Sequence, residues 1–186
     1  SGKPVVVNAD GTVSVPTETT ISENIGSPTV FGGELDQYVP VASTFDSSNN
    51  KVVLAYQDDA NSDYGIAIVG TVSGNSISFG SPVVFNAGQT TQIHITFDSS
   101  NNKVVLAYRD PGNSYYGTAI VGTVSGTSIS FGSEVVYTSN NAPYTKVIFD
   151  STNNKVVIFF RGASNYGKAI VGTVSGTSIS FGSETN

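Results

Sequence analysis

The chain contains no cysteine, no methionine, no tryptophan and a single histidine. Without Cys there are no disulfides and no thiolate nucleophile or ligand, and the redox compartment is left unspecified. One imidazole, His94, has no second His or Cys with which to share a metal. The missing Met leads us to expect a trimmed N-terminus or a fragment of a longer chain. Charge is scarce as well: 8 Lys+Arg against 14 Asp+Glu in 186 residues, a formal net charge of −6. Phosphate binding needs a surplus of cations, so nucleic acid is not an expected partner. No apolar run reaches the roughly 18 residues of a membrane span, and no signal-peptide core is visible, so membrane insertion is not expected. Yet 38% of the residues are hydrophobic and 10% aromatic, too apolar for a disordered chain. What remains is an acidic, globular protein rich in Ser, Thr, Asn, Gly and Val.

What is present is self-similar. Phe45-Asp46-Ser47-Ser48-Asn49-Asn50-Lys51 returns at Phe97 to Lys103 and, with Thr152 as the one change, at Phe149 to Lys155, a spacing of 52 residues each time. Ala67-Ile68-Val69-Gly70-Thr71-Val72-Ser73-Gly74 returns at Ala119 and at Ala169, so the third interval is two residues shorter. Ser76 to Ser81 returns at Ser128 and Ser178, and Gly26 to Phe31 matches only the end of a unit, Gly80 to Phe85. A repeat period near 50 residues points to stacked repeat architectures. We therefore expect an N-terminal hairpin and linker over 1–25 and a repeat domain over 26–186. The latter divides into a repeat tail, 26–37, and three units at about 38–89, 90–141 and 142–186.

Each unit reads as four strands separated by turn chemistry. In the first they span about Tyr38 to Phe45, Lys51 to Tyr56, Tyr64 to Val72 and Ser76 to Phe85. The fourth alternates, with Ile77 and Phe79 on one side and Ser76 and Ser78 on the other, as a half-solvated strand does. The second and third are apolar on both sides: Val52, Leu54 and Tyr56 against Val53 and Ala55, and Ile66, Ile68 and Val72 against Ala67 and Val69. Strands of that kind are covered on both faces. The expected fold is all-β: three tandem four-stranded antiparallel repeats of about 52 residues, stacked like β-propeller blades. A β-trefoil, or another stacked-sheet or sandwich arrangement, is the alternative. Three blades do not close a ring, where about four to eight are usual. We therefore expect a homo-oligomer or a longer chain.

The three units compare with one another. Between the first two strands the turn is nearly constant (Asp46 to Asn50, Asp98 to Asn102, Asp150 to Asn154), as is the one between the last two (Ser73-Gly74, Ser125-Gly126, Ser175-Gly176). The loops between second and third strands diverge: Gln57 to Asp63, Arg109 to Tyr115, Arg161 to Asn165. So do the connections between units, Gly32 to Gln37, Asn86 to Gln92 and Thr138 to Pro143. In an up-and-down sheet this places a uniform rim at one end and a divergent rim at the other. Divergent loops on a rigid scaffold are where recognition usually resides. Candidate ligand-binding residues on that rim are Asp58, Asp59, Asp63, Arg109, Asp110, Tyr115, Arg161 and Asn165.

Catalytic chemistry finds little support. Asp58, Asp59 and Asp63 lack the spacing and the closing Glu of a calcium loop, and no metal or other cofactor is expected. No Gly-x-Ser-x-Gly elbow occurs. Asp58, Asp110 or Glu34 would be needed as the carboxylate pair of a glycosidase, but Gly162 stands where Asp58 and Asp110 stand. Arg109 and Arg161 recur and suit a carboxylate or a sugar acid. Tyr64, Tyr116 and Tyr166 recur before Gly as packing residues would, whereas Tyr115 does not recur.

The segment Lys3-Pro4-Val5-Val6-Val7-Asn8-Ala9-Asp10-Gly11-Thr12-Val13, followed by units of the type Asn-Asn-Lys-Val-Val-Leu-Ala-Tyr and Ala-Ile-Val-Gly-Thr-Val-Ser-Gly, resembles repeat-containing virion proteins of bacteriophages, such as tail fibres. The resemblance implies a structural or attachment role at the virion surface, outside the cell, in trimers or larger assemblies. The blade pattern is also similar to sialidase- and arabinanase-type propellers. The Trp of the sialidase Asp-box is absent, however, and two recurring Arg do not make its arginine triad. The leading expectation is a non-enzymatic phage structural or adhesion module, whose partners are further copies of itself, other virion proteins and a host-surface glycan. A soluble carbohydrate-binding lectin is the alternative, and a glycosidase the third reading.

Overall fold

The computed structural model describes residues 5–14, 25–32, 35 and 41–185. Among them there is no α-helix, only strands and three single 3-10 turns, Asp59–Asn61, Pro111–Asn113 and Ala163–Asn165. Among the described residues no helix is long and apolar enough to cross a membrane. The expected N-terminal hairpin is present as β1 (Val6–Val7) and β2 (Val13–Ser14), closed by Asn8 N–H donating to the Thr12 carbonyl at 2.8 Å. Its valines are exposed. The expected linker, the opening Lys3-Pro4, Glu34 and the start of the first long strand lie outside the described residues.

Three antiparallel sheets follow, none closed into a barrel. The first runs β3 (Ala42–Asp46), β4 (Lys51–Asp58), β5 (Tyr64–Ser73), β6 (Ser76–Phe79), with β7 (Val83–Gln89) continuing along the same edge of β5. The second repeats that order with β8 (Thr91–Asp98), β9 (Lys103–Asp110), β10 (Tyr116–Ser125), β11 (Ser128–Phe131) and β12 (Val135–Asn141). The third comprises β13 (Lys146–Asp150), β14 (Lys155–Arg161), β15 (Gly167–Ser175) and β16 (Ser178–Phe181), followed by a single bridge from Ala169 to Thr185. The β-trefoil alternative fails here, because it requires a closed barrel.

The segments Asn86 to Gln92 and Thr138 to Pro143, read from sequence as loops, are mostly strand. β7 and β12 extend to Gln89 and Asn141. Their polar residues suggested turns, but the free edges of β5 and β10 supply backbone partners, and register shifts at Tyr64–Ile66 and Tyr116–Thr118 absorb the irregular sequence.

The sheets pack face to face. One cluster joins Val53, Ala55, Ala67 and Val69 of the first sheet to Val104, Leu106, Tyr108, Ile120, Val124 and Ile129 of the second. Another joins Val105, Ala107, Ala119 and Val121 of the second to Val156, Ile158, Phe160, Ile170, Val174 and Ile179 of the third. Each contact thus sets a face of small side chains against a face of large ones. Burying each large side chain stabilises by about 1.5–3 kcal/mol. An aromatic from the preceding edge strand seals each junction: Phe85 meets Tyr108 and Phe131, and Tyr137 meets Phe160 and Phe181. On the first sheet Phe31 does the same with Tyr56 and Phe79.

The expectation that the middle strands are covered on both faces holds for the second sheet, holds in part for the first, where Phe31 covers Tyr56, Ile66 and Ile68 but Val72 is exposed, and is corrected for the third. There Ile148, Phe159 and Val171 are exposed, because no described element packs against that face.

Candidate functional site

The antiparallel order puts two kinds of connection at opposite ends. At one end, Asp46, Asp98 and Asp150 each fold their own turn. The Asp46 Oδ1 accepts from the backbone N–H groups of Ser48 and Asn49, both at 3.0 Å, and the other two repeat this within 0.2 Å. Asn50, Asn102 and Asn154 close these turns with φ between 53° and 54°. The hydrogen bonds, that from Asn153 foremost, hold the Asp150 carboxyl below its ordinary range. These are structural turns, and Ser48 Oγ donates to Asn102 Oδ1 to tie adjacent ones together.

The other end carries the divergent residues. Each loop is built on one backbone and dressed with different side chains. Two adjacent residues with positive φ recur, after the 3-10 turn in the first two loops and inside it in the third: Ser62 and Asp63 (55° and 63°), Ser114 and Tyr115 (54° and 62°), Ser164 and Asn165 (58° and 64°). The left-handed region is costly for non-Gly residues, so its repetition marks a fixed conformation. Asp, Tyr and Asn are therefore presented from the same backbone position. The third loop keeps that geometry although it is two residues shorter.

Eight candidate residues sort into three groups by sheet. In the first, Asp58 ends β4, Asp59 opens the 3-10 turn, and Asp63 accepts from Gln89 Nε2 at 3.3 Å. No group of three acidic or imidazole residues able to hold a metal occurs among the described residues. In the second, Asp110 is buried and caps its 3-10 turn, accepting from Asn113 N–H at 3.2 Å, so its role is structural. Arg109 and exposed Tyr115 pair as cation and ring, 4.4 Å from guanidinium carbon to centroid. In the third, Arg161 lies 5.2 Å from the ring of Tyr144 and lines a polar recess of about 310 Å³ together with Asn140, Asn141, Pro143 and Asn165. Oε1 of Gln57, Oδ1 of Asp58 and Nε of Arg109 are buried at strand ends without a hydrogen-bond partner in the chain.

Tyr144 was missed in the sequence. It sits 52 residues after Gln92, both take positive φ, and Gln92 Oε1 accepts from Tyr144 N–H at 3.0 Å. The variation of the inter-unit connections carried that signal, but it was read as a stretch rather than a position. His94 is half-buried on β8 and hydrogen-bonded to the neighbouring strand. Its Nδ1 lies 3.1 Å from Val147 N and 3.2 Å from Val147 O, and burial, helped by Lys146, lowers its pKa. Tyr108, pushed far up by burial and then by its hydrogen bond to Glu134 at 2.7 Å, is a core anchor.

No family model, curated protein or solved structure matches the chain.

Proposed function

We propose that the chain is a non-enzymatic, propeller-like recognition module in which the three sheets act as blades and the divergent rim meets a carbohydrate or a neighbouring protein. The observation that carries this reading is the rim itself: one pair of left-handed residues repeated three times, with Asp63, Tyr115 and Asn165 at its second position. A scaffold held constant while its side chains change is the arrangement of a binding surface. The recess beside Arg161 offers planar hydrogen-bonding groups at Asn140, Asn141, Asn165 and the guanidinium, which suit the hydroxyls of a sugar ring.

The setting proposed for this module is a bacteriophage virion surface, on the strength of the sequence resemblance given above. The test is a glycan array with the purified chain, followed by titration of any ligand found. Arg161→Ala and Asn165→Ala should each weaken binding at least tenfold, while Thr152→Ser on the opposite rim leaves it unchanged. Binding without association with phage particles would select the lectin reading. Turnover of aryl glycosides, lost on changing Asp58 or Asp110, would replace both with a hydrolase.

A further inference from the structure

We infer that the exposed face of the third sheet is a docking surface for the first sheet of a second molecule of this chain, joined head to tail. The inference does not depend on what the rim binds. It rests on an interface that the molecule already contains twice. The small-residue face of the first sheet receives the large-residue face of the second, and the small-residue face of the second receives the large-residue face of the third. One face of each kind is then left without a partner sheet, at opposite ends of the stack.

Residues at equivalent positions show this directly. On small-residue faces, Val69 and Val121 are both 0% exposed, whereas Val171 is 48% exposed. On large-residue faces, Val124 and Val174 are 7% and 6% exposed, whereas Val72 is 53% exposed. Glycines record the same difference. A side chain on Gly65 would overlap the Phe85 ring and one on Gly117 the Tyr137 ring, but Gly167 has nothing within 4 Å. Gly80 and Gly132 abut the backbone of Thr127 and Thr177 in the next sheet's turn, and Gly26 abuts Asn75 in the first sheet's turn, whereas Gly182 meets only its own sheet. A depression of about 410 Å³ opens over Gly167, bounded by Tyr144, Phe159, Arg161 and Lys168. It occupies the place that Phe85 and Tyr137 fill on the other two sheets.

The first sheet of a second molecule carries the matching parts. Phe31 is already mounted on its large-residue face against Tyr56 and Phe79, as Phe85 and Tyr137 are on the next two sheets. Docking would bring this ring toward the depression over Gly167. One position departs from the internal pattern: Phe159 stands where the other sheets have Ala55 and Ala107. Its ring borders the depression and takes up part of that space. A repeat that ends a stack normally turns a polar face outward. Ile148, Phe159 and Val171 make this face apolar, the character of a contact surface. The contact joins two different patches, so two molecules can close a ring. They would bring together six sheets, within the range of about four to eight blades usual in closed propellers.

The test is the mass of the purified chain in sedimentation equilibrium from 1 to 100 μM, with Val72→Asp and Phe159→Asp. Both changed residues are exposed, so each variant should keep the wild-type circular dichroism and melting temperature of the dilute protein. The wild type should exceed the monomer mass of 19.3 kDa in this range. Each variant alone should stay monomeric. An equal mixture of the two should associate again, because one retains an intact third-sheet face and the other an intact first-sheet face. A wild type that is monomeric throughout overturns the inference. So does a Val72→Asp protein that still pairs with itself, since that would mean third sheets meeting each other. Neither result touches glycan binding at the rim, which is read separately on the array.

Discussion

The second and third sheets have nearly the same sequence in their middle strands and different surroundings. Val104 to Tyr108 and Val156 to Phe160 differ at three positions, and Ala119 to Ser125 matches Ala169 to Ser175 residue for residue. In the second sheet both faces are buried; in the third one face is open. Burial in this molecule is therefore a property of the junction between sheets rather than of the strand. A two-sided apolar pattern states that a strand needs two neighbours, and the stack determines whether it has them.

The largest expected effect sets Val121 against Val171. Val121→Asp places an unpaired carboxylate in a closed junction and should destabilise by more than about 4 kcal/mol, or prevent folding. Val171→Asp should change the stability of the dilute protein by less than about 0.5 kcal/mol. Urea unfolding midpoints measure both. Equal losses would show that the third sheet is covered. Next come the glycines. Gly117→Ala forces the Tyr137 ring aside and should cost about 1–3 kcal/mol. Gly167→Ala meets open space and should be neutral, or stabilising by up to about 1 kcal/mol through the unfolded chain.

The smallest effect is a pH dependence at His94. Its folded pKa lies below the ordinary value, so the unfolded chain binds more protons. Stability should be full above about pH 6.5, the unfolded value, and should fall as pH drops below it. His94→Gln should remove that slope. The slope at more acidic pH from Asp150, whose carboxyl is held low, begins near the ordinary carboxylate value of 3.8 and should remain. Thermal melts from pH 7.5 to 3 separate the two windows. A loss of stability on raising the pH through 6.5 would contradict the assignment.

Much of the fold was legible. Alternation at Ile77 and Phe79 gave an outer strand, and the recurring Asp-x-x-Asn turns fold as their side-chain chemistry implies, because both are local. β7 and β12 were partly read as loops, since Asn86, Gly88 and Asn140 have turn chemistry and only the partner edges make them strands. The openness of the third sheet was not legible, because Val171 and Val121 have the same neighbours in sequence. At the rim, the divergence of Asp63, Tyr115 and Asn165 was visible, but their shared left-handed backbone was not. Asp110 looked like a ligand contact and is a turn cap. Tyr144 was overlooked because its neighbour Arg161 is 17 residues away in the chain.

Carbene footprinting with residue-level mass spectrometry addresses the stacking of the sheets most directly, because it reads side-chain exposure in solution. At 1 μM, Val171 and Phe159 should be modified readily while Val105 and Val121 stay protected; on raising the concentration, protection should appear at Phe159 and Val72 together. Modification of Val121 to the same extent as Val171 at 1 μM would contradict the account.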